Sequence, residues 1–221
     1  MVTLVLLQIA LVFPPGRSLA PLALESAVAE ADSLWSRYGI SIVAADDCSA
    51  PRSLPVIRVI FVDSMHARVA VLGAITFDDD GVPSPEISIF LGDIQRLIAG
   101  TRLFGEAAPQ WPPAVRDRVV GRVVGRVLAH EVGHYLLRMP GHARAGLMRP
   151  QHLTPMLVAP ERRPFALTRP EAARLAVVGA AACMVPASGA ARCASREEIE
   201  IKPRGAAGYE GGLKADRKGQ P

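Results

Sequence analysis

Apolar and polar positions along this chain follow two periods, and Pro, Gly, Asp and Ser mark the changes between them. Over residues 21–38 the apolar positions Leu24, Val28, Ala31, Leu34 and Trp35 recur at helical spacing and Gly39 follows, which predicts an amphipathic helix closed by a glycine cap. Residues 40–44, 56–62, 73–77 and 86–91 are short runs rich in Val, Ile and Phe, and they predict strands of one sheet. Residues 78–85 hold three aspartates, a glycine and two prolines. They read more simply as a turn than as a calcium loop, because Asp and Gly favour turns and the prolines limit regular structure. The apolar run over residues 2–13 stops at Pro14, Pro15 and Gly16, as a buried strand would. It also fits the apolar region of a signal peptide cut near Ser18-Leu19-Ala20, although no Lys or Arg precedes it and Pro21 would follow the cut.

Residues 93–100 predict a short helix with Asp93 as its cap. A loop with Pro109, Pro112 and Pro113 then leads into the strongest helical pattern of the chain. Val119, Val123, Val127, His130 and His134 share one stripe, and Arg118, Arg122 and Arg126 share the next. Gly121 and Gly125 each cost this helix about 1 kcal/mol of propensity relative to Ala, which points to close packing on a strand. Pro140-Gly141 is expected to end the helix. An irregular stretch to about residue 164 precedes a last helix over 168–182, capped by Thr168 with Pro170 and Glu171 in its first turn. From about residue 195 no packing pattern is left, and a solvated, disordered tail is expected. The organisation is one domain over 1–182, with 1–20 as first strand or signal segment, and a C-terminal extension over 183–221.

Composition supports one sizeable core: 50% of the 221 residues are apolar and 21% charged. Nineteen Gly, nineteen Pro and only 5% aromatics predict many turns and an aliphatic interior. The net charge of +4 comes from scattered Lys and Arg with no interleaved aromatics, so no nucleic-acid partner is expected. No run reaches the roughly 18 apolar residues of a membrane helix, so no integral membrane anchor is expected. Cys48, Cys183 and Cys193 are too few for a disulfide framework or a four-cysteine zinc site. One bridge, Cys183 to Cys193 first, stands beside the alternative of three reduced thiols.

The chemistry concentrates in His130-Glu131-Val132-Gly133-His134, an HExxH pattern near the end of the long helix. Positions i and i+4 lie one turn apart, so both imidazoles can reach one zinc ion while Glu131 sits beside them. A catalytic site of this kind takes a third protein ligand and keeps the fourth position for water. His142, just after Pro140-Gly141, is the first candidate. Glu161, Glu171 and His152 are the others; for Glu171 the simpler role is to complement the helix dipole.

With HEVGHYLLRMPGH followed by GLMRP, the sequence resembles the matrixin-like members of the metzincin clan of zinc endopeptidases. Their HExxHxxGxxH motif precedes a methionine turn beneath the metal, and the turn methionine here is Met148. Leu137 and Pro140 stand where that motif has glycine and the third histidine, so His142 implies a connection two residues longer. The resemblance spans residues 2–182 loosely and about twenty residues specifically. It implies an α+β, zincin-like fold: a twisted mixed sheet of four to five strands packed on two long helices, one carrying HExxH.

It further implies one catalytic zinc held by His130, His134 and His142, with Glu131 as general base. Met148 would form an apolar floor. An extended peptide or protein substrate would pair with an edge strand near Ser88, Ile89 and Phe90. The implied activity is zinc-dependent hydrolysis of peptide bonds; the alternative is a zinc-binding module of the same fold without peptidase activity. Such chemistry favours an exported over a cytosolic protein. A monomer is the default expectation.

Overall fold

In the computed structural model, which describes residues 7–14, 19–45, 54–64, 71–103, 105–182 and 214–216, the first element is a strand, β1 (Leu7–Val12). Its last four side chains are buried, because β1 pairs in parallel with β2 (Ile40–Ala45) on one side and β3 (Val56–Val62) on the other. A strand with neighbours on both sides and helices over the sheet reads as an unbroken apolar run. That is the pattern of Ile9, Ala10, Leu11 and Val12, so this part of the 2–13 run is a strand.

Beyond β3 the sheet continues with β4 (Gly73–Phe77) and β5 (Pro83–Phe90) in the order β2-β1-β3-β5-β4. Strand β5 is parallel to β3, whereas β4 lies antiparallel to β5 at the margin of the sheet. The architecture is α+β, a five-stranded mixed sheet with helices. Two expectations change here. Strand β5 starts at Pro83 rather than residue 86, because the turn is tighter than the run of 78–85. Asp78 closes it alone: its Oδ1 accepts the amides of Asp80 (3.1 Å) and Val82 (2.7 Å), and Gly81 takes φ 74°. The backbone of Ser88, Ile89 and Phe90 is also not a free edge. Those residues face Ile60, Phe61 and Val62 of β3, and Ser88 and Ile89 face Ala74 and Gly73 of β4. Among the described residues, β4 is the outer strand on that side.

Helix α1 (Pro21–Trp35) connects β1 to β2, and α2 (Leu91–Ala99) follows β5 directly. Asp93 is therefore inside the first turn of α2 rather than its cap, where it holds Arg96 at 2.7 Å. Within that first turn Gly92 passes the Asp63 carbonyl so closely that a Cβ would lie 2.1 Å from it. A minimal hairpin, β6 (Arg102–Leu103) and β7 (Glu106–Ala107), leads to the long α3 (Pro113–Leu137).

The stripe Val119, Val123, Val127, His130 and His134 is buried throughout, as its period predicts. Gly121 and Gly125, however, pack on a helix, not on a strand. A Cβ at Gly121 would meet the Ala23 carbonyl at 2.4 Å, and one at Gly125 the Ala27 carbonyl at 2.5 Å. These glycines let α3 touch the backbone of α1, so that Ala27, Ala31 and Leu34 join Val123, Val127, Ile9, Leu11, Ile57 and Ile87 in one core.

After α3 the chain forms β8 (Gln151–Leu153), a short α4 (Thr154–Val158) and α5 (Arg169–Ala182). Lys214–Asp216 forms β9, parallel to β8, so the extension is not featureless as expected. Cys48, Cys183, Cys193 and the proposed cleavage site at Ser18 lie outside the described residues. Among the described residues no helix is long and apolar enough to cross a membrane.

The α1 and α3 contact makes a direct prediction. Gly121→Ala and Gly125→Ala gain helix propensity but drive a methyl group into backbone, and each is expected to destabilise the fold by about 1 to 3 kcal/mol. Gly141→Ala, whose Cβ meets nothing within 4 Å, is the neutral control. Urea unfolding midpoints measure the difference.

Candidate metal centre

The C-terminal half of α3 is buried on every side from Val123 to His134. Arg138, in the left-handed region at φ 47°, ends the helix before Pro140 is reached, and its amide bonds to the His134 carbonyl. The chain then turns back and brings His142 beside the two helix histidines. Ligand atoms of His130, His134 and His142 all lie within 4.8 Å of one another, a group able to hold a metal ion. Ring centroids are 4.7 Å apart for His130 and His134, 5.3 Å for His130 and His142, and 5.0 Å for His134 and His142.

The hydrogen bonds of the two helix histidines set their chemistry. His130 Nδ1 donates to the Leu147 carbonyl at 2.8 Å, and His134 Nδ1 donates to the Met139 carbonyl. A carbonyl only accepts, so each Nδ1 carries the hydrogen and each neutral ring keeps a lone pair on Nε2. The two Nε2 atoms are 3.0 Å apart. Two acceptors face each other there, an arrangement that a shared cation relieves. Two nitrogens about 2.1 Å from a tetrahedral ion stand about 3.4 Å apart, so the pair is somewhat closer than such an ion would hold it. Burial, and next the adjacent His134, push the His130 pKa well below its usual 6.5, so the ring stays in the neutral, metal-binding form.

Other residues shape the site from below and from the side. Met148 and its neighbour Leu147 are fully buried in the turn after His142. A Cβ on Gly133 would lie 2.3 Å from Met148 Sδ and 3.4 Å from Trp35, so the methionine rests on the bare backbone between the two helix histidines. The Trp35 indole donates to the Ala129 carbonyl at 3.1 Å and holds that turn of α3. Glu131 is buried, with Oε1 3.0 Å from the Cβ position of Gly73, and the Phe77 ring meets His134 edge-on at 6.4 Å. Strand β4 therefore borders the cluster.

The other candidates for a third ligand do other things. Glu171 Oε2 accepts the Thr168 amide at 2.6 Å and the Thr168 hydroxyl at 2.8 Å, closing the start of α5. Glu161 is exposed and outside the histidine group, and its backbone carbonyl accepts from Arg126. His152 is buried and tilted against Phe165, with centroids 4.7 Å apart. The sequence pattern alone missed Gly73, Phe77, Gly133, Trp35 and the Glu30 and Arg126 pair. A groove of about 390 Å³ between α1, α2 and the start of α3, lined by residues such as Leu91, Ile98 and Val120, takes nothing from the histidine cluster.

His152 carries a pH prediction. Burial lowers its pKa from 6.5 to about 4, against the pull of the Leu147 backbone. The native ring stays neutral while the unfolded one takes a proton below 6.5. The resulting penalty is absent above pH 6.5 and grows as pH falls to 4, by about 1.4 kcal/mol per unit and about 3 kcal/mol in all. Urea unfolding of the metal-free protein at pH 7 and 4.5 should show the wild type losing more stability than His152→Leu, by about 2 to 3 kcal/mol.

No protein-family model, curated protein or solved structure matches this chain.

Proposed function

We propose that this chain is a zinc-dependent metallopeptidase of metzincin-like fold. His130, His134 and His142 hold one zinc ion, and Glu131 is the general base. The convergence of three imidazoles, two presenting Nε2 lone pairs to each other at 3.0 Å, carries the reading. Three imidazoles suit a borderline cation such as zinc better than calcium or magnesium, which prefer oxygen. The methionine beneath Gly133 and the glutamate within HExxH add to it.

Zinc in such a site supplies Lewis acidity, polarising an amide carbonyl and bringing the pKa of water near 7. The protein's own groups do the rest. The Glu131 carboxylate accepts a proton from the attacking water and returns it to the leaving amine nitrogen, as the carbonyl carbon gains an oxygen and the C–N bond breaks. The carbonyls of Leu147 and Met139 keep His130 and His134 turned toward the ion. With Ser88, Ile89 and Phe90 already paired on both sides, an extended substrate strand would add to β4, which borders Glu131 and His134.

Elemental analysis and peptide-library hydrolysis test the reading together. One zinc per chain is expected in the wild type, in Glu131→Gln and in Glu171→Ala, and a strong loss of zinc in His142→Ala. Glu131→Gln should cut hydrolysis by about 10² to 10⁴-fold with zinc retained. Zinc bound without any hydrolysis would favour a metal-binding module of the same fold. Absence of zinc after dialysis against it would end the reading.

A further inference from the structure

Arg126 lies on α3 one turn before His130, and its side chain is completely buried. Nε donates to Glu30 Oε1 at 2.9 Å, Nη1 to the carbonyls of Met156 and of Leu157 at 3.2 Å, and Nη2 to that of Glu161 at 3.0 Å. The guanidinium also sits 4.4 Å from the centroid of the Phe165 ring. Arg162 closes on the other oxygen of Glu30 at 2.7 Å. A buried ion pair is costly to desolvate, and apolar replacements of such pairs are often neutral or stabilising, so stability alone gives no reason for this arginine. What it supplies that an apolar side chain does not is direction: it fixes three carbonyls and one ring of the segment after the methionine turn against α3.

That segment leads back to the histidine cluster through backbone hydrogen bonds. Phe165 precedes Ala166, whose carbonyl accepts the Leu147 amide at 3.1 Å. The Leu147 carbonyl in turn accepts Nδ1–H of His130 at 2.8 Å. Gly146 brings the two backbones together, since a Cβ there would lie 2.2 Å from the Ala166 oxygen. Because Arg126 and His130 are i and i+4 on one helix, the contacts form a closed circuit.

We propose that Arg126 is a positioning residue of the metal centre. By pinning residues 156–165 to α3 it sets the Leu147 carbonyl against His130. The imidazole is thereby held in its Nδ1–H tautomer, with Nε2 turned to the cluster. The benefit to metal binding rests on the zinc reading above, but the tautomer is measurable without metal.

The test is nitrogen-15 NMR of the His130 ring in the metal-free full-length protein, followed by zinc titration. The variants are Arg126→Lys, the paired Arg126→Met with Glu30→Leu, and Phe165→Leu. The paired variant leaves no lone buried charge at that site, and Phe165→Leu weakens the circuit at its ring contact without touching either charge; hydrogen exchange of α3 identifies the folded variants. The wild type should show the Nδ1–H form alone. The variants should show mixed tautomers and zinc affinity lower by about 10 to 100-fold, the usual effect of losing a ligand's outer partner. Arg126→Lys should not rescue, because one ammonium cannot span the three carbonyls and the carboxylate. Unchanged tautomer and zinc affinity in a folded paired variant or in Phe165→Leu would overturn the proposal while leaving the zinc reading intact. Shifted tautomers in a protein that binds no zinc would do the reverse.

Discussion

The backbone contact between α1 and α3 constrains the rest of this molecule. Gly121 and Gly125 bring α3 so close to Ala23 and Ala27 that the two helices share one apolar layer over the sheet. With the sheet and the segment after Met148 covering its other faces, every residue of α3 from Val123 to His134 is buried. A helix enclosed on all sides must satisfy or neutralise whatever polar groups it carries. On this one those groups are Arg126, His130, Glu131 and His134.

Arg126, His130 and His134 meet that requirement in ways that bear on chemistry. Arg126 is balanced by Glu30 and by backbone carbonyls from the segment that follows Met148. His130 and His134 give their Nδ1 hydrogens to carbonyls, which turns their Nε2 atoms toward each other beside His142. The burial that makes these side chains expensive for the fold also strengthens any electrostatic interaction at the cluster. Met148 can fill the space under the helix because Gly133 has no side chain, so the second half of HExxH is shaped by packing as well as by ligation.

The pattern along the chain was informative wherever periodicity is local. Residues 56–62 and 73–77 were placed as strands at their observed limits, and α1, α3 and α5 at nearly theirs. The pair His130 and His134 was readable because one helical turn brings i and i+4 together whatever lies around them. His142 was a reasonable choice for the third member only because Pro140-Gly141 promised a turn. The helix in fact ends at Leu137, through a left-handed Arg138 that no residue preference announces. The margin of the sheet was placed one strand too far in. A run such as Ser88, Ile89 and Phe90 looks the same whether its neighbours are one or two, and only the pairing with both β3 and β4 makes it internal.

By itself the sequence determined the helices and strands that make up an α+β chain and the long helix with two histidines on its buried stripe, because these depend on contacts within a few residues. Tertiary structure decided which strand lies at the margin, where the glycines of α3 are spent, and that Glu171 caps a helix instead of approaching the histidines. It also decided that Arg126 meets Glu30 across 96 positions of chain and that the Leu147 carbonyl aims His130. Such relations join residues far apart in sequence, and they arise only when close packing brings distant backbone groups within hydrogen-bonding distance.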